Sequence, residues 1–421
     1  PAGFCAAYIL ALAGFQVTLL ERGAVVGERY GRLMEFEGGG RFYPDSNYAF
    51  GEGGAGTFSD GKLTSRTKTI SAEKKYIFKT YVKHGAPEEI QYLSKPHIGS
   101  DNLRKVVENL RHTLAGLGAD IRFGEQAVGL NIKNGYVNSV ITSDNEYLCD
   151  YFVIAPGHSA YDTYRMLMNS GVGFTGKSFA IGARVELPQE LVNISQWGAP
   201  AITGLKAADF KLTWNGGSGY LPVYSFCMCP GGKIVPATPA EGFNVVNGVS
   251  DYARNGKFAN SGIVAGFNIA EHLRRDISPL EALGWMEQLE AKAYQLKSGF
   301  DAPFCTVTDF INKRIPASLP ETSYPFGLVP ADYNDFLPGA VVESLREAIK
   351  YFTLKLKGFG EGNLIGIETK TSSPIRALRD NTGKCEGFAN LYLAGEGSGY
   401  AGGIISSAAD GIKTALAIVS L

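Results

Sequence analysis

The sequence predicts an α/β fold in two parts. A parallel-sheet domain is built from both ends of the chain, residues 1–170 and 361–421, and a mixed α+β domain, residues 171–360, is inserted between them. Three observations predict it. Residues 4–20 read as an apolar helix, a tight turn and an apolar strand, which need a sheet beside them. Residues 390–419 give an apolar strand, a run of glycines and a helix rich in Ala and Ile. From about residue 171 the texture changes to longer strands joined by glycine-rich connections.

Taken in order, the elements have local reasons. Pro1 suits a first helical position. The helix reads as 4–13 and the strand as 16–20, ending at Glu21. No strand stands before this helix, so the reading expects a first strand and more of the fold to precede Pro1. A short helix is expected over 28–37, polar helices over 71–85 and 87–93, and an amphipathic helix over 102–117. In the last, Leu103, Val106, Val107, Leu110, Leu114 and Leu117 recur at helical spacing, with Asp101 as its expected cap. Strands follow at 120–123, 127–132, 136–142 and 147–149, with Asn134-Gly135 as a hairpin turn. An apolar strand at 151–155 runs into Pro156-Gly157-His158. The inserted part shows strands at 179–185, 210–214 and 224–229 and helices at 279–296 and 340–348. The final strand is 390–394 and the final helix 404–419.

Composition limits the function. With 421 residues, 45% hydrophobic and 19% charged, the chain exceeds the ~250–300 residues at which one core stops growing. A net charge of −1 without a basic stripe argues against nucleic acid as the partner. Six cysteines, scattered except for Cys227 and Cys229, are no disulfide framework, which places the expectation in a reducing cytoplasm. Two neighbouring cysteines without further ligands are too few for zinc, and no metal is expected. Residues 1–20 imitate a membrane span, but Gly14 and Phe15 interrupt them and the β-rich 16–20 follows, so no span is expected.

Three constellations carry chemistry. Pro1-Ala2-Gly3 opens the first helix, and Glu21 ends the next strand about 20 residues on, the spacing of a close-packing glycine and a ribose-binding carboxylate. At the other end, Gly395-Glu396-Gly397 follows a strand, and Gly402-Gly403-Ile404 opens a helix whose free N–H groups and dipole suit an anion. The third is the loop 50–63, with Gly51, Gly53, Gly54 and Gly56, then Thr57, Ser59, Asp60, Gly61, Lys62 and Leu63. Such glycines let backbone approach a flat or charged group closely. A ribose acid, a polyol acid, a helix dipole and a close-approach loop are together the needs of an extended flavin dinucleotide, FAD.

Longer strings carry a resemblance. The stretch 1–23, Ser46-Asn47 with 50–63, Lys95-Pro96-His97-Ile98-Gly99, residues 224–232, residues 368–376 and residues 394–405 resemble a bacterial family of FAD-dependent, or NAD(FAD)-utilising, dehydrogenases in the glutathione-reductase-like class. The resemblance covers nearly the whole chain. It implies a flavoprotein with a Rossmann-like FAD-binding domain, including a β-meander, and a cap domain. The first strand and first two glycines of its fingerprint would precede Pro1. It also implies roles for residues. Gly3 and its neighbours approach the pyrophosphate, and Glu21 holds the adenosine ribose. Arg22 or Arg29 flanks the adenine or phosphates, and Val128 offers adenine a backbone contact. Ala155, Pro156 and Gly157 pass beside the cofactor, while Glu396 meets the ribityl or pyrophosphate region. The helix start at Gly402, Gly403 and Ile404 faces the flavin pyrimidine edge, and the loop of Gly53, Gly54, Gly56 and Thr57 lies along the isoalloxazine.

Catalytic candidates are His97 and His158, as acids titrating near neutral pH, Lys62 beside reduced flavin or a substrate carboxylate, and Lys370 and Arg376 in a polar Thr/Ser stretch. Each also has the plain reading of a packed or solvated side chain. Cys227-Met228-Cys229 reads either as a dithiol relay or as a simple strand on which adjacent thiols make a strained disulfide. The expected function is oxidation or reduction of a small organic substrate by hydride transfer through flavin N5, with NAD(P)H as a candidate electron donor. Two alternatives stay open: a flavin-binding redox sensor or scaffold, and a reductase of an apolar unsaturated substrate.

Overall fold

The computed structural model describes residues 1–421 apart from Arg66 and Ser298. The first helix, α1 (Ala2–Leu12), buries Ala2, Ala6, Ala7 and Ala11. Strand β1 (Thr18–Glu21) follows, then α2 (Val26–Glu37). The Glu52 carboxylate accepts the Val26 N–H at 2.6 Å, capping α2 from the glycine loop. Helices α3 (Ser71–Lys83) and α4 (Ser100–Gly116) pack their apolar faces with Leu63, Ile98 and Ile404 in one core. Asp101 does not cap α4. Gly99 holds that position with φ +81°, and Asp101 instead accepts the Tyr252 N–H at 2.8 Å.

Strands β2 (Asp120–Phe123), β3 (Ala127–Lys133), β4 (Tyr136–Thr142), β5 (Glu146–Leu148) and β6 (Phe152–Ile154) come next. The Asn134-Gly135 turn between β3 and β4 holds both residues at positive φ, 53° and 74°, as the hairpin reading expects. Helix α5 (Tyr161–Asn169) and β7 (Phe174–Gly176) lead out of this region.

The next stretch contains β8 (Phe179–Pro188), α6 (Gln189–Trp197), β9 (Thr213–Trp214), β10 (Val223–Pro236), β11 (Val246–Val249) and β12 (Phe258–Phe267). After them come α7 (Ile269–Leu273), α8 (Pro279–Gln295), β13 (Ala302–Thr306), α9 (Val307–Ile311), β14 (Leu328–Pro330), α10 (Gly339–Lys355) and β15 (Asn363–Glu368). These strands form one eight-stranded sheet in the order β11-β10-β12-β8-β15-β13-β14, with β9 on β10. Its centre, β8 and β12, pairs without a break from Phe179↔Phe267 to Pro188↔Phe258. The expected strand at 210–214 shrinks to Thr213–Trp214, because Phe210 and Leu212 turn into the core while only the last two residues find a partner. The expected break at 361 falls ahead of β15, which is hydrogen-bonded to β8 and β13 inside the sheet.

The chain ends with β16 (Ile375–Ala377), β17 (Leu391–Leu393) and α11 (Gly403–Val419). Two pairings are parallel here, β1 with β2 and β17 with β6. Their registers bring Glu21 level with Phe123 and Leu393 level with Ile154, so Glu21, Ala155 and Gly395 all stand at or just past the carboxyl ends of parallel strands. Ligands of open α/β sheets bind outside those ends. The architecture is thus mixed α/β, with parallel pairs near both chain ends and an antiparallel-rich sheet between them. Among the described residues, no helix is long and apolar enough to cross a membrane.

Candidate functional site

A cavity of about 510 Å3 opens where these carboxyl ends meet the large sheet. The chain reaches it from distant segments: α1 and the end of β1, the glycine loop, 123–127, 154–160, one face of β10, and the start of α11. This convergence is what sequence spacing hides.

Two helices point their N-termini into it. Pro1, Ala2 and Gly3 at the start of α1, and Gly403, Ile404 and Ser407 at the start of α11, all line the wall. Gly402, the N-cap of α11, has no side chain to cap it, so the first N–H groups and positive dipole end of α11 are left for an anion. The two helices run close because Gly411 of α11 lies against the Ala2 carbonyl. Gly3 is close-packed but less tight, since a Cβ there would stand 3.3 Å from the Ala155 Cβ. Gly402 itself caps α11 from outside the cavity wall, one residue short of the expected contact.

Two carboxylates face the same space. Glu21 Oε1 accepts the Gly23 and Gly51 N–H groups at 2.9 and 3.0 Å, which fixes the carboxylate at the strand end. Glu396 lines the wall beside Gly395. Burial pushes its carboxyl up to about 7, against the pull of Lys177. Arg22, also on the wall, is held by Asp162 through two 2.9 Å hydrogen bonds and stacks over Phe50 at 4.3 Å.

The glycine loop divides between wall and scaffold. Gly53, Gly54, Gly56, Ser59, Asp60, Gly61 and Lys62 line the cavity. Thr57 and Leu63 do not: the Thr57 hydroxyl donates to the Glu52 carbonyl, and Leu63 is wholly buried in the neighbouring core. Arg29 is corrected as well. Its guanidinium is fully buried, off the cavity wall, and donates to the carbonyls of Asn47, Tyr48, Gly51, Glu52 and Gly54, so it braces the loop from behind. Val128 is half-exposed and outside the wall. Gln126 and Ala127, just ahead of it, line the cavity.

The candidate catalytic residues separate in the same way. Lys62 is on the wall, ion-paired to Asp60 at 2.9 Å, and Arg254 grips the same carboxylate at 2.5 Å. Burial opposes charge on Asp60, but Lys62 and Arg254 outweigh it and hold the carboxyl down at about 2. Lys370 is on the wall, 2.8 Å from Glu290 and 4.6 Å over the Tyr161 ring. Arg376 is exposed, off the wall, and lies over Tyr400. His97 also misses the cavity; it pairs across a bridge with Lys62, stacks on Tyr252 and reaches the Tyr252 carbonyl at 3.2 Å. His158 does line it, with both ring nitrogens buried and without a hydrogen-bond partner among the described residues.

Neither histidine titrates near neutral pH. Burial, with Arg254 nearby, lowers His97 to about 4. Burial, with Lys370 nearby, lowers His158 to about 3. Both are therefore neutral across the working range, which removes the cationic-acid role. The pH profile of kcat should accordingly show no inflection between about pH 5 and 8 that disappears in His158→Gln. An inflection lost in that variant would return His158 to acid–base work. Sequence reasoning missed Phe226, Asn247 and Arg254, which β10, β11 and the turn after β11 deliver to this region. Only the polar residues crowding 244–254 hinted at them.

Residues 178–371, which cover the eight-stranded sheet, match the family described as FAD-dependent protein, C-terminal domain-like. The whole chain is 40% identical over 425 residues to an uncharacterized protein of Clostridium beijerinckii, spanning 79% of it. Solved structures are far more distant. CtdE in complex with FAD shares 13% identity at a TM-score of 0.38, covering 99% of this chain and 81% of that one. Glycine oxidase from Bacillus cereus shares 11% at 0.36, covering 100% and 94%. The residues present fit FAD: helix N-termini for its diphosphate, carboxylates for its hydroxyls, and glycine backbone for its ring.

Proposed function

We propose that the chain, which belongs with its 40% identical relative and whose residues 178–371 match the family described as FAD-dependent protein, C-terminal domain-like, is a flavin oxidoreductase whose cofactor lies in the cavity between the parallel strands and the large sheet. The observation carrying this reading is the meeting of two helix N-termini with Glu21 and Glu396 around one space. The parallel-strand parts, 1–170 and 369–421, form a Rossmann-like cofactor domain, and the eight-stranded sheet supplies the substrate side.

When bound, FAD supplies hydride transfer through its N5 to or from a small organic substrate. The chain's own residues place and polarise it. Glu21 takes the adenosine ribose hydroxyls from a carboxylate already fixed by two backbone N–H groups. The α1 start receives the diphosphate. Glu396 meets the ribityl chain, and its raised pKa lets it donate as well as accept a hydrogen bond near neutral pH. The α11 start and Lys62 place positive potential where a reduced ring carries negative charge. Phe226, Val235 and Ala237 of β10 and its end close the wall against water. NADH or NADPH is proposed as the electron donor.

Purified protein should therefore show oxidised-flavin absorbance and lose it by bleaching when NADH or NADPH is added without air. Glu396→Ala should weaken FAD binding about 10-fold or more, since a buried ligand hydroxyl loses its partner. A colourless protein that takes up no added FAD overturns the reading.

A further inference from the structure

One cluster on the cavity wall has no part in holding a dinucleotide. β10 is irregular between Phe226, opposite Gly262, and Cys229, opposite Asn260. Three steps on one strand face two on the other, which is a β-bulge. Cys227 sits in it at φ +46°, a left-handed conformation that a non-glycine residue adopts at a cost. The bulge is braced from within. The fully buried Arg184 donates to the Cys227 carbonyl at 3.3 Å and to Asn260 and Asn247 at 2.6 and 3.0 Å. Glu368 pairs with Arg184 at 2.9 Å.

The result is that Cys227 lines the cofactor cavity while Cys229 lies buried behind it. The Cys229 thiol reaches the Cys227 carbonyl at 3.3 Å, and Lys62 Nζ stands 3.9 Å from the Cys229 sulfur. In a straight strand, residues two apart have Cα atoms about 6.7 Å apart, near the limit for a disulfide. The register breaks on both sides of Cys229, between Phe226 and Cys229 and between Cys229 and Gly232, so the pair does not sit in the regular strand geometry that raises this objection.

We propose that Cys227 and Cys229 form a redox-active dithiol that exchanges an electron pair with FAD bound in the same cavity. This rests on the flavoprotein reading above. In the oxidising direction the Cys227 thiolate and the Cys229 thiol form a sulfur–sulfur bond and the Cys229 S–H bond breaks. The electron pair and that proton pass to oxidised flavin as one hydride equivalent. In the other direction reduced flavin returns the same equivalent and the disulfide opens.

The thiols elsewhere are unlike these. Burial pushes Cys5 up to about 11 and Cys305 and Cys385 up to about 12, and Cys149 is also raised. Cys227 goes the other way, below the ordinary thiol value. The hydrogen bond from Cys229 is the main cause, helped by Lys62 and Arg184 against burial. Charges facing the pair are Lys62 and Asp60 from the loop, Arg184 from β8, Glu368 from β15 and Glu396 ahead of α11. A thiolate beside a protonated partner is the form that exchange requires.

Reductive titration of the air-purified holoprotein tests this, followed by alkylation with iodoacetamide and mass analysis of the Cys227–Cys229 peptide. The expected result is uptake of twice the electron equivalents of the flavin alone. The peptide should be unalkylated and lighter by two hydrogens before reduction, and alkylated at both thiols after it. Cys227→Ser and Cys229→Ser, each checked for retained flavin absorbance, should each take up only the flavin's share. Uptake limited to the flavin in the unmodified protein, with both thiols alkylated before and after, overturns the dithiol while leaving the flavoprotein reading intact. A protein that binds no FAD overturns both.

Discussion

Arg29→Leu should abolish cofactor binding and cost about 3–5 kcal/mol of stability, the range for removing one member of a buried charged network. The reason lies in what Arg29 holds. Its Nε, Nη1 and Nη2 donate to five backbone carbonyls between Asn47 and Gly54, at 2.8 to 3.2 Å. These residues have few conformational limits of their own, since Gly51, Gly53 and Gly54 all take positive φ. Without the guanidinium the Asn47 and Tyr48 carbonyls lose this donor, those of Gly51, Glu52 and Gly54 keep only their bonds within the loop, and the loop loses its shape. Burial lowers the Arg29 pKa to about 10, offset by Glu21, Tyr48 and Glu52, so it stays charged at neutral pH. Arg29→Lys should rescue little, because an ammonium cannot span the fork. Urea unfolding followed by FAD titration checks this; a variant with unchanged midpoint and affinity would return Arg29 to the ligand-flanking role.

Gly411→Ala should be nearly as damaging from the opposite side of the site. A Cβ at Gly411 would stand 2.1 Å from the Ala2 carbonyl oxygen and 2.9 Å from its Cα, all backbone atoms that no rotamer change can move. The start of α1 must then back away from α11, and the two N-termini that open onto the cavity lose their spacing. Overpacking of this kind costs about 1–3 kcal/mol, and the FAD dissociation constant should rise at least about 10-fold, since each helix terminus contributes about 1 kcal/mol or more to an anion. Gly284→Ala on α8 is the control. Nothing lies within 4 Å of a Cβ there, so it should gain about 0.5–1 kcal/mol. If both substitutions behave alike in isothermal titration with FAD, helix spacing does not govern the site.

Much of this was legible where local chemistry decides. The amphipathic spacing of α4, the Asn134-Gly135 turn and the apolar runs of β1 and β17 appear in the structure within a residue or two. Glu21 and Glu396 were readable because each follows a strand and precedes glycine-rich backbone. Arg29 was misassigned because nothing local reveals that an arginine will be consumed by its own loop. His97 and His158 looked like titrating acids because sequence does not show burial. The bulge at Cys227 was hidden too, since its brace, Arg184 with Glu368, spans 184 positions.

The scattered origin of the cavity wall has a temporal consequence. Its parts are made in the order 1–62, 123–163, 226–247, 370 and 394–407. Until α11 leaves the ribosome, α1 lacks the neighbour that packs against it at Gly411, and the cavity wall is incomplete. Nascent chains shorter than residue 407 should therefore be unable to acquire flavin, whatever its concentration. Cofactor supply would then act as a clamp on the finished molecule, adding about 2.7 kcal/mol when free FAD is 100 times its dissociation constant. In a cell short of flavin, newly made copies would turn over faster than old ones.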